Sequence, residues 1–246
     1  LRVVEVLEEK YPEFPGLNLS WEVREGIVKH SSAFDRMVKL KEFNPEEMPT
    51  LETQVVDIAD EIAYDNHDLD DGITSGLIKE EDMERLPIWN DIDKRIAAKY
   101  RNIDEEKRKF QIIKSLIDIQ VTDLISETER TISKLRLNSW QEVKKIDKKI
   151  VSFSKDMIKL RIPLRHFLME NLYQHYRVVR MSHKAKRFIK DLFRIYLEQP
   201  QQLPAHIQKR IKTDGVERVV CDYIAGMTDR YALDEYKKLF DPYEKV

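Results

Sequence analysis

An all-α fold is predicted by three features of this sequence: few helix breakers, a surplus of side chains that favour helix, and no convincing strand alternation. Only 6 Gly and 9 Pro are spread over 246 residues. Glu, Lys, Arg, Leu and Ile are abundant and cost a helix little rotamer freedom. Hydrophobic residues at 41% can build a core beneath the 36% that are charged, so wholesale disorder is not expected. No internal repeat or low-complexity tract interrupts the pattern.

The elements follow in order. Leu1-Arg2-Val3-Val4-Glu5-Val6-Leu7-Glu8-Glu9 has helical spacing from its first residue and no capping residue ahead of it. The chain is therefore expected to start inside a helix and to be a fragment, a processed form or a numbering that omits an upstream segment. After the break at Tyr11-Pro12-Glu13-Phe14-Pro15-Gly16, Ser20 is placed to cap a short helix carrying Trp21, Ile27, Val28, Lys29 and His30. Residues 34–48, with Asn44-Pro45, read as an exposed connection. A helix is expected from about 50 to 69 with Gly72 as its stop, then short helical pieces ending in a Leu86-Pro87-Ile88-Trp89 turn. The longest periodic stretch, 104–134, bears an apolar stripe that includes Phe110, Ile113, Leu116, Val121, Leu124 and Ile125 and needs partner helices. Ser139-Trp140-Gln141-Glu142 matches a capping box, while the lysine-rich 144–149 reads as mobile. Further helices are expected over 155–176, 182–198, 214–227 and 228–239.

Lys+Arg 43 against Asp+Glu 45 leaves a formal charge of -2, so no global field recruits nucleic acid or a membrane surface. Any basic partner site must be local. A single cysteine, Cys221, excludes an internal disulfide framework and a four-cysteine zinc site, and the expected location is the reducing cytoplasm. Flanked by Val219, Val220 and Ile224, Cys221 reads as a buried small apolar residue. No apolar run approaches the ~20 residues needed to cross a bilayer, and no signal-peptide pattern opens the sequence.

Chemistry concentrates in one segment. On a helix advancing about 100° per residue, Asp60, Tyr64 and Asp68 share one stripe with His67 between them. Val55, Ile58, Ala59, Ile62 and Leu69 are expected to pack on the opposite side. The stripe is either a solvated acidic face or the wall of a lined pocket whose carboxylates meet a cation or donor. Hard divalent ions want carboxylate oxygens, but no H-E-x-x-H and no histidine-aspartate doublet beyond His67-Asp68 completes a ligand set. A second stretch, from Arg165 to Arg187, interleaves basic and aromatic residues. It reads first as packed helices with snorkelling stems, and second as a site for single-stranded nucleic acid or an effector nucleotide. His30, His175 and His206 read as hydrogen-bonded structural residues.

Four stretches carry a family resemblance. They are Leu51-Glu52-Thr53-Gln54-Val55-Val56-Asp57-Ile58-Ala59-Asp60-Glu61-Ile62-Ala63-Tyr64 with its continuation to Gly72, Trp21-Glu22-Val23-Arg24-Glu25-Gly26-Ile27-Val28-Lys29-His30, Leu172-Tyr173-Gln174-His175-Tyr176-Arg177, and Val220-Cys221-Asp222-Tyr223-Ile224-Ala225-Gly226-Met227. The sequence resembles bacterial deoxyguanosinetriphosphate triphosphohydrolase-like proteins of the HD-domain superfamily. The resemblance implies an HD-domain-like bundle with a C-terminal helical extension. Residues 1–100 would be the C-terminal part of the catalytic core, and 101–246 a helical region packing on that core and on neighbouring subunits of a homo-oligomer. It implies one divalent metal, Mg or Mn, and hydrolysis of a deoxynucleoside triphosphate to nucleoside and intact triphosphate. Asp60 matches the final metal-binding aspartate, Tyr64 and Asp68 match residues facing the deoxyribose and its 3′-hydroxyl, and Lys29 matches a triphosphate contact. The other metal ligands and the catalytic histidine or glutamate are expected upstream of Leu1. A catalytically silent helical binding or regulatory module on the same scaffold is the alternative.

Overall fold

The computed structural model describes residues 1–30 and 40–245. The described residues form helices and no β-strand, as the composition predicts. They pack as two units, one of Ser20–His175 and one joining Leu1–Leu19 to Tyr176–Val246. The division expected at residue 100 falls inside the first unit, where the helices on either side of that residue pack together.

In the unit Ser20–His175, α1 (Trp21–Lys29) starts where Ser20 Oγ accepts the Val23 amide at 3.4 Å. The connection expected over 34–48 lies outside the described residues as far as 39. Beyond that it is not all exposed, because a 3₁₀ turn at Lys41–Phe43 buries Phe43 beneath the Trp21 ring. Thr50 caps α2 (Leu51–Thr74), which runs through Gly72 instead of stopping there. Gly72 serves packing: a Cβ there would lie 2.6 Å from Ile78 Cδ1. The helix ends at Ser75, and the turn that follows uses Gly76 at φ +69°. After the single turn α3 (Glu80–Met83), Pro87 begins α4 (Pro87–Lys99) and does not end a segment as expected. Its fixed φ and missing N–H suit a first helical position.

Asp104 caps α5 (Glu105–Leu135), and α6 (Trp140–Lys144) and α7 (Lys155–Leu168) follow, with a π-helical turn at Met169–Tyr173. Leu69, Met83, Ile88, Ile112, Leu116, Leu164 and Leu168 form the core of the unit. Each contributes on the order of 1.5–3 kcal/mol by leaving water. The α5 stripe is only partly used, since Phe110, Val121 and Ile125 remain exposed. Of the lysine-rich 144–149, residues 145 and 147–149 are exposed, but Lys144 is buried against Glu25 and the segment leads into the fully buried Ile150.

The second unit contains α8 (Tyr176–Glu198), α9 (Ala205–Gln208), α10 (Ile211–Asp214), α11 (Val216–Ala225) and α12 (Asp229–Phe240). Leu192, Tyr196, Leu203, Val219, Val220 and Ile224 make its core. The first residues form only a π-helical turn, Val3–Leu7, and Arg2 beside it donates to both carboxylate oxygens of Asp222 at 2.8 Å. Gly16, at φ +77°, closes on this turn: a Cβ would meet the Glu5 carbonyl at 2.4 Å. Cys221 is exposed, a correction to its expected burial. With Val219 and Val220 turned inward, the next residue is carried about 100° round α11 to the solvent side. Among the described residues no helix is long and apolar enough to cross a membrane.

Candidate functional site

The side of α2 that faces the body of its unit is polar to an unusual degree. Gln54 is fully buried; its Oε1 accepts the amides of Ile150 at 2.7 Å and Val151 at 3.2 Å, and its Nε2 donates to the Pro49 carbonyl. One turn on, the fully buried Asp57 takes His30 Nδ1 at 2.7 Å on one oxygen and Lys149 Nζ at 2.8 Å on the other. Asp65 receives Arg161 Nη2 at 2.8 Å. Burial pushes the Asp65 carboxyl up, while Arg165 and Arg161 oppose that shift. Glu61 takes Arg165 Nη1 at 3.2 Å, and Asn66 donates to the Ile62 carbonyl while accepting from Gln120. Such directional partners hold the helix against rotation, which apolar packing alone does less strictly.

Beside these anchors lies the stripe singled out by spacing. Asp60 and His67 are exposed, and Asp68 is half-buried. Tyr64 is 39% exposed. Asp60 and Asp68 are eight residues apart, about 12 Å of helix rise. The structure adds Tyr173, whose hydroxyl donates to Asp68 Oδ2 at 2.6 Å and whose ring lies 5.7 Å from that of Tyr64. Burial, then the bond to Asp68, drives the Tyr173 phenol far above its ordinary pKa, so it stays a donor. Burial and the Asp68 charge also raise Tyr64. Tyr64, Asp68 and Tyr173 thus form a wall with a carboxylate set between two rings, and Arg165 lies one helical turn away on the α7 side.

Other expected placements differ. Lys29 is not on this face: it is 2% exposed, with Nζ donating to Glu25 Oε1 at 2.7 Å and to the Glu47 carbonyl at 2.9 Å. Of the apolar side expected to pack, Ile62 and Leu69 are buried, but Val55 is exposed and Ala59 with it. They line a groove of about 430 Å³ between α2 and α5, together with Ile117, Val121 and His67. His30 is hydrogen-bonded as expected. Within the basic stretch, Arg165 and Tyr173 turn out to serve α2, which leaves the part from Tyr176 onward as a separate feature of α8.

Among the described residues no group of three or more His, Cys, Asp or Glu side chains is placed to hold an ion. Asp60 alone leaves most coordination positions to water, so these residues do not make a complete metal site. Asp57 and Tyr173 were not singled out from spacing. Asp57 lies on the Tyr64 and Asp68 stripe, seven residues before Tyr64, and that periodicity was the available signal.

The family model of the phosphohydrolase-associated domain matches residues 151–238. A deoxyguanosinetriphosphate triphosphohydrolase-like protein of Geobacter metallireducens is 49% identical over 100% of this chain and 64% of its own length. Its namesake in Geobacter sulfurreducens is 48% identical over the same shares, and that of Ralstonia nicotianae 40% identical over 98% of this chain and 62% of its own. The chain thus spans about 64% of the length of the first two relatives.

Proposed function

We propose, from the chain's homology across its whole length to the deoxyguanosinetriphosphate triphosphohydrolase-like proteins, that it supplies the nucleoside-binding wall of a metal-dependent hydrolase of deoxynucleoside triphosphates, dGTP among them. In the proposed reaction water adds at the α-phosphorus, the bond to the nucleoside 5′-oxygen breaks, and deoxynucleoside and intact triphosphate leave. One observation supports this most: Asp60, Tyr64 and Asp68 share a stripe of α2 beside the buried anchors Gln54, Asp57 and Asp65, with Tyr173 drawn onto Asp68.

Each residue has a task under this reading. Asp68, held at Oδ2 by the Tyr173 hydroxyl, accepts from a sugar 3′-hydroxyl. The Tyr64 ring, propped against Tyr173, fills the space beside the sugar in which a 2′-hydroxyl would sit, so exclusion of ribose is steric. Asp60 offers one carboxylate oxygen toward Mg or Mn. The described residues do not complete that ion's donor set. The silent binding module is the second reading, favoured by that incomplete set.

Incubating the full gene product with dGTP and Mg²⁺ or Mn²⁺, and following deoxyguanosine and inorganic triphosphate together, tests the proposal. Equal release of both is expected. Retained dGTP binding with no release would establish the silent module instead.

A further inference from the structure

We infer that an apolar helix from the part of the gene product outside this chain seats in the groove between α2 and α5, alongside Asp60. Between 55 and 67 the exposed residues of α2 are 55, 56, 59, 60, 63, 64 and 67. They make one open face about three turns long, in two rows at four-residue spacing. The rows differ in chemistry. Val56, Asp60 and Tyr64 form the one that enters the site described above, and Val55, Ala59, Ala63 and His67 form the ridge next to it.

Across the groove α5 presents Val121, Ile125 and Glu129, again four residues apart. The two helices run antiparallel, since Gln120 meets Asn66 while Lys109 meets Thr74. Two facing ridges with a valley of about 430 Å³ between them have the form into which a third helix packs a ridge of its own. Between His67 and Glu129 the lining is apolar except for Thr128, yet Val55 is 47% and Ile125 54% exposed. An open apolar strip of this kind marks a covered surface. Its lining asks for aliphatic side chains at i, i+4 and i+7 of the occupant, and the small Ala59 and Ala63 let that backbone come close.

Two observations favour the rest of the gene product as the occupant. This chain takes up only 64% of the length of its two Geobacter relatives, which therefore have further chain to place. Asp60 lacks companions for an ion among the described residues, and it lies next to Ala59 on the same open face. A segment lying along the Val55–His67 ridge passes one row from Asp60, so it is positioned to bring further donors there. That purpose rests on the proposed hydrolase reading, whereas the seat rests on the groove.

The test uses the full gene product in a Cys221→Ser background. Val55→Cys and Ile125→Cys place thiols on the two walls, and Phe110→Cys, on α5 outside the groove and 62% exposed, is the reference. Alkylation by iodoacetamide should be at least a hundredfold slower at the two walls than at the reference, at every protein concentration. The double variant Val121→Glu with Ile125→Glu puts carboxylates where this unit leaves them in water but a seated helix would bury them. It should lower the melting temperature of the full product by several degrees, while Phe110→Glu leaves it in place. Wall thiols as reactive as the reference overturn the assignment, as does an unchanged melting temperature in the double variant. Protection that disappears on dilution would make the occupant a second copy and overturns it too. Neither readout depends on turnover, so a protected groove in a product that releases no triphosphate upholds the seat and counts against the hydrolase reading alone.

Discussion

Tyr64 and Asp68 sit side by side on α2, yet their substitution should have different consequences. Removing the ring with Tyr64→Ala opens the space beside the sugar, so the ratio of kcat/KM for a deoxynucleoside triphosphate to that of its ribose partner should fall about tenfold or more. Asp68→Ala takes away the acceptor that the 3′-hydroxyl and Tyr173 both use, so turnover of deoxy- and ribonucleotides should drop together by ~10²-fold. Triphosphate release from paired substrates measures both; an unchanged ratio in Tyr64→Ala would make Tyr64 a packing residue. Asp60→Asn is isosteric at an exposed position and should abolish turnover without lowering the melting temperature. At this scale the sequence was informative where side chains follow helical spacing, since Asp60, Tyr64 and Asp68 do share a face. It misled where a partner distant in sequence decides the outcome. Nothing local shows that Lys29 is neutralised by Glu25, or that Tyr173 reaches back 105 residues to Asp68.

The helix α2 is held chiefly by hydrogen bonds to segments that fold around it, and its stability should respond accordingly. Gln54→Ala leaves the Ile150 and Val151 amides and the Pro49 carbonyl buried without their partner. The expected cost is about 1–3 kcal/mol, read as a lower urea midpoint at unchanged slope. Lys149→Met removes the ammonium that faces the fully buried Asp57 carboxylate opposite His30 and should also destabilise; Lys149→Arg should restore most of the loss. A midpoint unmoved in Gln54→Ala would mean that 149–151 is not latched to α2. These anchors also explain which elements were legible. Helices with a side-chain cap, at Ser20, Thr50, Asp104, Ser154 and Thr228, start at or close to the expected positions because capping is a short-range effect. Gly72 and Pro87 were misread because each residue has two uses, and tertiary packing chose between them. Lys144 to Lys149 resembled solvated charge because its carboxylate partners lie on α1 and α2.

The chain leaves one unit after Leu19, builds Ser20–His175, and returns to the first at Tyr176, so the smaller unit depends on contacts between the two ends of the sequence. Its polar tie is Arg2, 220 residues from Asp222. The side-chain bonds from Arg2, reinforced by Arg210, hold the Asp222 carboxyl below the usual carboxylate range, and Arg210 does the same for Asp214. A carboxyl whose folded pKa is depressed contributes stability that is fully present above its unfolded value of about 3.9, and that is lost as pH falls through the folded pKa. The benefit of Arg2 should therefore be complete at pH 7, intact at pH 5 and diminished near pH 3. Urea unfolding of the parent and of Arg2→Ala, followed by far-ultraviolet circular dichroism at those three values, measures it. Trp21, Trp89 and Trp140 all lie in Ser20–His175, so tryptophan emission reports the other unit in the same experiment. The expected result is a lower ellipticity midpoint for Arg2→Ala at pH 7 and 5, with the difference shrinking toward pH 3. A difference as large at pH 3 as at pH 7 would mean that Arg2 acts through its aliphatic stem and not through the charge it brings to Asp222.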